Sequence, residues 1–479
     1  MTDSRATSAA DPPSAFGADL HLEVRGPRLR AGLTDALREA VRSGRLVPGT
    51  RLPSSRSLAA DLGIARNTVA DSYTELVAEG WLVARQGSGT RVAGRAEPAR
   101  AAPAAPPVEP AGRRPTYSLL LGSPNLAEFP RKQWLTAARR ALTVAPHEAF
   151  GLGDALGRVE LRTALADYLA RARGVHAEPG RVVVCSGFHH GLTLIARALR
   201  ARRVKAVAVE SYGLDIHRGV LTGAGLRTPP LYVDESGART RDLARLPGVG
   251  AVLMTPAHQF PTGVALSPDR RAAAVDWARA GGGLILEDDY DGEFRYDRQP
   301  VGALQGLDPE RVVYFGTVSK SLAPGLRLAW MVLPEELVPE IVAAKGYLDW
   351  MSSAPEQLTL AEFITSGAYD RHVRSMRLGY RRRRDQLVTA LARRAPDTRL
   401  TGMAAGLQAV LELPRGTEQS VVRAAARQGL AVSGISRFRY EVADSGWQLP
   451  VLDALVVNYA GPLDSAWTGT LDALCGVLP

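Results

Sequence analysis

The sequence RVVYFGTVSKSLAPGLRLAW, residues 311–330, places a lysine among hydroxyl groups and an arginine directly after a short apolar run. Lys320 is accompanied by Thr317, Ser319 and Arg327. A lysine amine can form a Schiff base with an aldehyde cofactor, and hydroxyl groups together with an arginine can bind its phosphate. By itself, a Ser-Lys pair in a loop is more often an ordinary surface feature. The interpretation of Lys320 therefore depends on the surrounding sequence.

Four further apolar runs precede this one and are separated by segments with helical periodicity: residues 182–185, 204–210, 251–256 and 283–289. Short, almost wholly apolar runs are typical of parallel strands that helices cover on both faces. We therefore predict an α/β body with a mostly parallel sheet. Such sheets bind ligands at the carboxyl ends of their strands, so the residues at these ends are the candidate site residues.

Groups that could bind a ligand end or follow three of these runs. GLILEDDYDGEF contains Asp288 and Tyr290, a carboxylate that can pair with a protonated pyridine nitrogen and a phenol that can hydrogen-bond a ring oxygen. The alternative is an exposed acidic turn. In VVVCSGFHHGLTLIARAL, the backbone amides of Gly187 and Phe188 could hold a phosphate at a helix start, although many such connections bind nothing. His258 follows the third run, in HQFPTG.

The segment before residue 93 has a different pattern. Helical spacing of apolar residues predicts a helix from about Leu29 to Val41, a second over 57–62 and a third that begins near Arg66. The alternating sequence EGWLVARQGSGTRV, residues 79–92, predicts a hairpin. This is the order of a winged helix-turn-helix, and residues 44–92 resemble the GntR-type winged helix. A small helical interaction domain with a solvated basic face is the alternative.

In a winged helix of this type, the start of the third helix enters the major groove of double-stranded DNA and offers donors to base edges. Arg66, Asn67 and Thr68 open that helix. Other residues could contact the DNA backbone or form the tip of the wing, residues 87–90. The predicted DNA-contact residues are Arg51, Arg56, Arg66, Asn67, Thr68, Arg85 and Gly89.

Composition sets the domain organisation. The Pro- and Ala-rich segment 93–116 predicts a linker between a winged-helix domain at 21–92 and the body at 117–479, and residues 1–20 are predicted to be a disordered tail.

The chain carries a net charge of +10 with only four lysines among 59 basic residues. Two cysteines cannot form a disulfide framework or a thiolate metal cluster, and no stretch is apolar enough to span a membrane. We predict a cytoplasmic protein without a metal site.

Five sequence motifs in order resemble fold type I aminotransferases, which depend on pyridoxal phosphate. Together with the head and the linker, they resemble the MocR subfamily of GntR regulators over about residues 27–479, excluding the linker. The motifs are LGSPNLAEFPRKQW, GLGDALGRVELRTALADYLARARGV, HQFPTG, EDDYDGEFRY and GTVSKSLAPGLRLAW. The resemblance implies a homodimer that binds pyridoxal phosphate, with a smaller C-terminal subdomain in each body.

The resemblance also assigns roles. Lys320 would be the Schiff-base lysine, Asp288 the partner of the pyridine nitrogen, with Asp289 as the alternative, and Tyr290 the donor to the ring oxygen. Tyr212, His189 or Phe188 would stack on the ring. The phosphate would be held by Thr317, Ser319, Arg327 and the turn Ser186-Gly187-Phe188, and His258 completes the cofactor-binding set.

One departure from the family bears on activity. Aminotransferases carry an arginine near the C-terminus that binds the substrate carboxylate, whereas this chain has Gly461 there and no arginine in 451–479. Arg437 could substitute. The leading hypothesis is a transcription regulator that senses pyridoxal phosphate, controls vitamin B6 genes and has weak or no transaminase activity. The alternatives are a regulator that senses an amino acid or amine through the cofactor, and an active aminotransferase with a DNA-binding head.

Overall fold

The computed structural model describes residues 29–85, 89–94, 115–296, 301–346, 349–440 and 452–479. Contacts divide the chain between Gly112 and Arg113 into an N-terminal head and a body. The predicted disordered tail, residues 21–28 of the predicted winged-helix domain, most of the predicted linker, and Gly87 and Ser88 of the predicted wing tip lie outside the described residues.

The head contains three helices and a hairpin. Helix α2 begins after Ser54, whose side chain accepts a hydrogen bond from the Ser57 amide, and ends at Gly63, whose φ of +65° suits glycine. Apolar residues from all three helices, Leu33, Leu58 and Val69 among them, pack into one buried core. The predicted winged helix-turn-helix is confirmed. Its elements are α1 (Leu29–Arg42), α2 (Ser55–Leu62), α3 (Arg66–Ala78), β1 (Leu82–Arg85) and β2 (Gly89–Val92).

The body alternates helices and strands along most of its length. Its helices are α4 (Arg131–Val144), α5 (Val159–Arg173), α6 (Phe188–Ala201), α7 (Asp215–Gly223), α8 (Pro268–Gly281), α9 (Val338–Gly346), α10 (Ala354–Thr365), α11 (Ala368–Arg394), α12 (Glu418–Arg427) and α13 (Asp464–Cys475). Its strands are β3 (Tyr117–Ser118), β4 (Val182–Cys185), β5 (Ala206–Glu210), β6 (Pro230–Leu231), β7 (Val233–Asp234), β8 (Gly237–Ala238), β9 (Val249–Met254), β10 (Leu284–Asp288), β11 (Val312–Thr317), β12 (Ala329–Val332), β13 (Arg399–Thr401), β14 (Gln408–Glu412), β15 (Leu430–Ala431), β16 (Ser433–Gly434) and β17 (Ala454–Asn458).

Seven strands form the central sheet, in the order β4-β12-β11-β10-β9-β5-β6. Strand β12 runs antiparallel to both of its neighbours, and the other pairs are parallel. The predicted mostly parallel sheet is therefore confirmed. Because β4, β5, β9, β10 and β11 point the same way, their carboxyl ends meet at one edge, where the sequence placed the candidate residues.

Side chains alternate between the two faces of this sheet. Along β10, Leu286 packs with residues of α6 and α9, whereas Ile285 packs on the opposite side with residues of α8. Since both faces are covered by helices, the strands are almost wholly apolar. Both cysteines are buried and free, as expected of core residues.

A second, antiparallel sheet of four strands, in the order β13-β14-β17-β16, forms the smaller C-terminal part of the body. It packs with α11, α12 and α13 against the large core. Among the helices described here, none is long and apolar enough to cross a membrane.

Candidate functional site

A cavity of about 270 Å³ opens at the carboxyl edge of the central sheet. Nine of the ten residues that the sequence predicted for the cofactor line it: Lys320, Asp288, Tyr290, Arg327, Thr317, Ser319, Gly187, Phe188 and Tyr212. The tenth, His258, is buried behind Tyr290 and does not reach the cavity wall. The three candidate ring-stacking residues, Tyr212, His189 and Phe188, all line the cavity.

Lys320 lies in the loop between β11 and β12, and its Nζ donates a hydrogen bond to the Gly122 carbonyl at 2.6 Å. Burial lowers the pKa of Lys320, and the carboxylates of Asp291 and Asp288 oppose that effect. A lowered pKa increases the fraction of neutral amine, which is the form that attacks a carbonyl carbon.

The adjacent residues Asp288 and Asp289 have opposite surroundings. Asp289 receives two hydrogen bonds from Arg173, at 2.7 and 3.0 Å, and a third from the Tyr314 hydroxyl at 2.8 Å. Asp288 lines the cavity, and within the described ranges no protein group donates a hydrogen bond to its carboxylate. Burial, with a contribution from the neighbouring Asp289, raises the pKa of Asp288 well above its usual value. Asp288 is therefore the carboxylate that is available to a ligand.

Tyr290 is held from behind by a small polar network. Gln408 Nε2 donates to its hydroxyl at 2.8 Å, and His258 Nδ1 lies 3.1 Å from the same oxygen. His258 Nδ1 also lies 2.8 Å from Asp291 Oδ2, with both side chains almost completely buried. These contacts fix the phenol so that it faces the cavity, and they give His258 a positioning role.

An anion-binding surface lies on one wall. Helix α6 begins at Phe188, and its N-terminal amides are preceded by Gly187, whose φ is +124°. A Cβ on Gly187 would lie 2.9 Å from the Arg327 guanidinium, so only glycine allows the arginine this position. The hydroxyls of Thr317 and Ser319 are 2.9 Å apart at the same wall. Helix N-termini and arginine side chains both favour phosphate.

The side chain of Ser186, in contrast, is not part of this surface. Its hydroxyl donates to Asp349 Oδ2 at 2.8 Å and is absent from the cavity lining.

Three charged or titratable residues at the cavity were missed by the sequence reasoning. Glu210 ends β5 and accepts hydrogen bonds from Thr255 and Gln259, and its burial raises its pKa to about 7. His217, whose pKa burial lowers to about 3, and Arg218 both come from α7. The strand-end rule that selected Asp288 applies equally to Glu210 and could have found it.

Arg218 lines the cavity, and its Cζ is 4.5 Å from the centre of the Tyr440 ring. Arg437, the arginine proposed as a substitute for the missing family arginine, lines a neighbouring groove instead of the cavity. At Gly461 itself there is little room for a larger residue, because a Cβ there would lie 2.8 Å from Asn458 Nδ2. The second arginine at the cavity is therefore supplied by α7.

The cavity residues fit pyridoxal phosphate. No donor among the described residues contacts the buried carboxylate of Asp288, as expected for the partner of a pyridine nitrogen, and the glycine-dependent position of Arg327 provides an anion cradle. Lys320, Asp288 and Tyr290 would hold the reactive carbon, the ring nitrogen and the ring oxygen respectively. When bound, the cofactor supplies an aldehyde and an electron-withdrawing ring.

The head presents its predicted contact residues at the surface. Arg66 and Asn67 are exposed at the start of α3, and Thr68 is half-buried beside them. Gly89 adopts a φ of +81° at the start of β2. The remaining predicted residues, Arg51, Arg56 and Arg85, are also exposed.

Residues 29–92 match the model of bacterial regulatory proteins of the gntR family, and residues 118–447 match aminotransferase class I and II. The pyridoxine biosynthesis transcriptional regulator PdxR of Corynebacterium glutamicum is 33% identical over 85% of this chain and 88% of its own length. The probable rhizopine catabolism regulatory protein MocR of Rhizobium meliloti is 32% identical over 90% and 89%. An uncharacterized HTH-type regulator of Bacillus subtilis, YdeL, is 33% identical over 89% and 92%.

Solved structures agree on the fold of the body. An archaeal alanine:glyoxylate aminotransferase superposes with a TM-score of 0.67 at 24% identity, over 77% of this chain and 91% of its own. The α-aminoadipate aminotransferase LysN of Thermus thermophilus, solved with N-(5'-phosphopyridoxyl)-L-leucine, gives a TM-score of 0.65 at 22% identity, over 75% and 91%.

A winged helix joined to a body with the fold type I aminotransferase architecture defines a DNA-binding regulator with an aminotransferase-like domain. The chain belongs to the HTH-type transcriptional regulators of the MocR and PdxR type, within the gntR family, and its body belongs to aminotransferase class I and II. That architecture implies pyridoxal phosphate as the cofactor.

Proposed function

We propose that the body binds pyridoxal phosphate covalently at Lys320 and that occupancy of this site changes the affinity of the head for an operator. The observation that carries the proposal is the cavity itself. One space brings together an amine whose pKa is lowered by burial, a buried carboxylate that receives no hydrogen bond from the described part of the chain, and an anion cradle formed around Gly187 and Arg327. The relative from Corynebacterium glutamicum is named as a regulator of pyridoxine biosynthesis, which supports the cofactor as the signal and vitamin B6 genes as the target.

We also propose that the regulator acts as a homodimer through its body. Four large apolar side chains between residues 135 and 152 are strongly exposed, and Leu152 and Val144 reach 90% and 81%. Exposed apolar surface of this kind marks protein–protein interfaces. Two heads in one dimer would gain affinity from a DNA site that offers two suitably spaced half-sites.

Transaminase turnover is proposed to be weak or absent. Positioning of the reacting atoms can account for roughly 7 to 11 kcal/mol of a barrier, and the family arginine that orients the substrate carboxylate is missing at Gly461.

A second candidate function rests on Arg218. Its side chain lines the cavity, and among the described residues no carboxylate forms an ion pair with it. It could hold the carboxylate of an amino acid, and this favours the alternative in which an amino acid or amine is sensed through the cofactor.

The test measures fluorescence anisotropy of a duplex from upstream of the regulator's own gene, with and without pyridoxal phosphate. We expect wild type to change its dissociation constant when the cofactor is added, and Lys320→Ala to bind DNA without responding. Borohydride treatment should leave the cofactor attached to Lys320 in a peptide digest. An unmodified Lys320 would exclude covalent binding there. A response that requires an added amino acid and is lost in Arg218→Ala would favour the second candidate.

A further inference from the structure

Helix α11 carries an unusual share of the charge of this protein. Its 27 residues include nine arginines and two aspartates, a net charge of +7, whereas the whole chain carries +10. Ion pairs with acidic side chains can neutralise the arginines of a long basic helix. Arginines that have no such partner are available to bind another molecule.

Three of the arginines attach the helix to other parts of the body, and one of them, Arg394, forms an ion pair with Asp472 of α13. Arg377 donates to the Glu293 carbonyl at 3.0 and 2.6 Å. Arg383 is buried, donates to the Tyr459 carbonyl at 3.2 Å and forms an ion pair with Asp464. These three arginines are structural and are not available to a partner.

Five other arginines form an exposed face, here called the α11 basic face: Arg371, Arg374, Arg381, Arg382 and Arg393. At 3.6 residues per turn they fall within an arc of about 120°, and they extend over roughly 33 Å of helix. In the described parts of the chain, Arg381, Arg382 and Arg393 form no ion pair or side-chain hydrogen bond. Asp385 is the one acidic residue of α11 on this face.

Like charges three and four residues apart destabilise a helix, so this arrangement opposes the formation of α11 in isolation. Arg374, Arg377, Arg381 and Arg384 repeat at such spacings. An anionic partner on the α11 basic face would reduce that repulsion at Arg374 and Arg381. The length of the face is close to one turn of B-form DNA, about 34–36 Å, along which phosphates are regularly spaced.

We propose that the α11 basic face binds the phosphate backbone of duplex DNA that adjoins the site bound by the head. The proposal rests on DNA binding by the head of the same chain, which brings DNA to a high local concentration around the body. The contact is independent of sequence, because guanidinium groups on an exposed helix face meet phosphates and not base edges. The body thereby adds affinity and lengthens the DNA segment that the regulator occupies.

The experiment measures how the dissociation constant of the full chain for a long duplex depends on salt. Each phosphate contact contributes about 0.9 to the slope of log K against log salt. Arg381→Ala with Arg382→Ala should therefore lower the slope by about 2 for each body of the proposed dimer that contacts DNA. Between 50 and 200 mM salt, the variant should lose roughly 12-fold less affinity than wild type for each such body. The matched control is Arg241→Ala with Arg245→Ala, two strongly exposed arginines elsewhere on the body, which should leave the slope unchanged.

Hydroxyl-radical footprinting supplies a second readout. The variant should keep the protection at the centre of the site and lose protection in the flanking DNA. An unchanged slope and footprint would overturn the proposal, as would an equal effect of the control pair. Arg66→Ala separates this failure from failure of the head: if it abolishes binding while the α11 variant behaves as wild type, the head binds DNA and the α11 basic face does not. If the α11 variant alters binding to an acidic protein partner but not to DNA, the face serves a different interaction and the proposal is wrong.

Discussion

Replacing each of the two adjacent aspartates at the end of β10 by asparagine should have opposite consequences. Asp289→Asn removes the charge that neutralises Arg173, and both side chains of this pair are at most 3% exposed. Breaking a buried ion pair by removing one partner costs about 3–5 kcal/mol, because the other charge is left without compensation. The new amide also cannot accept all three hydrogen bonds from Arg173 and Tyr314. We expect the free energy of unfolding of the cofactor-free protein to fall by that amount.

Asp288→Asn should not destabilise the cofactor-free protein. The Asp288 carboxylate is buried beside Asp289, and its pKa is raised well above the usual value, so an uncharged amide relieves repulsion. Binding of pyridoxal phosphate should weaken strongly, because the amide cannot form an ion pair with a protonated ring nitrogen. The loss of stability is therefore expected for Asp289→Asn, whereas for Asp288→Asn we expect a loss of cofactor affinity without a loss of stability.

The assay combines urea unfolding of the full chain, followed by far-UV circular dichroism, with cofactor titration followed by visible absorption. Asp276→Asn, an exposed position on α8, is the control and should change neither quantity. The assignment would be refuted if Asp288→Asn lost as much stability without cofactor as Asp289→Asn. It would also be refuted if Asp289→Asn unfolded like wild type but failed to bind the cofactor.

Three further predictions concern the cradle, pH and assembly. Gly187→Ala should weaken cofactor binding while it leaves DNA binding without cofactor intact, because its Cβ would displace Arg327; unchanged affinity in the absorption titration would contradict the cradle. The raised pKa of Glu210, about 7 against the usual 4.5, favours the folded state below pH 4.5, and this contribution is lost as pH rises through 7. Glu210→Gln should thus be more stable than wild type by up to about 3 kcal/mol above pH 7 and not at pH 4.5, and a pH-independent difference in urea unfolding would exclude this. Val144→Asp with Leu152→Asp should give monomers in light scattering, whereas a persistent dimer would place the interface elsewhere.

Much of the fold follows from local sequence patterns. The predicted apolar runs coincide with β4, β5, β9, β10 and β11 to within about two residues, because a strand covered on both faces must be apolar along its whole length. The pattern of apolar runs does not predict strand β12, because the strand has only four residues and directly follows a loop with polar side chains. Its antiparallel pairing with β11 places Ala329 opposite Thr317, which brings Arg327 back towards Lys320.

The site was harder to predict where partners are distant in sequence. Arg173 and Asp289 are 116 residues apart, so no local pattern distinguished Asp289 from Asp288. The helix that supplies Arg218 has no motif of its own. His258 was placed at the cavity because it follows a strand, but the turn that follows β9 directs its side chain behind Tyr290.

The pairing of Arg173 with Asp289 has a consequence for how such chains diverge. It joins the end of α5 to the end of β10 through protein groups alone. A descendant that abandoned the cofactor would thus remain under selection at Asp289, while Asp288 would be free to drift. In a related sequence, an acidic residue at the position of Asp289, the second of the Asp288-Asp289 pair, would indicate only that the fold is intact. The first, read together with the lysine, would mark a chain that keeps the proposed cofactor pocket.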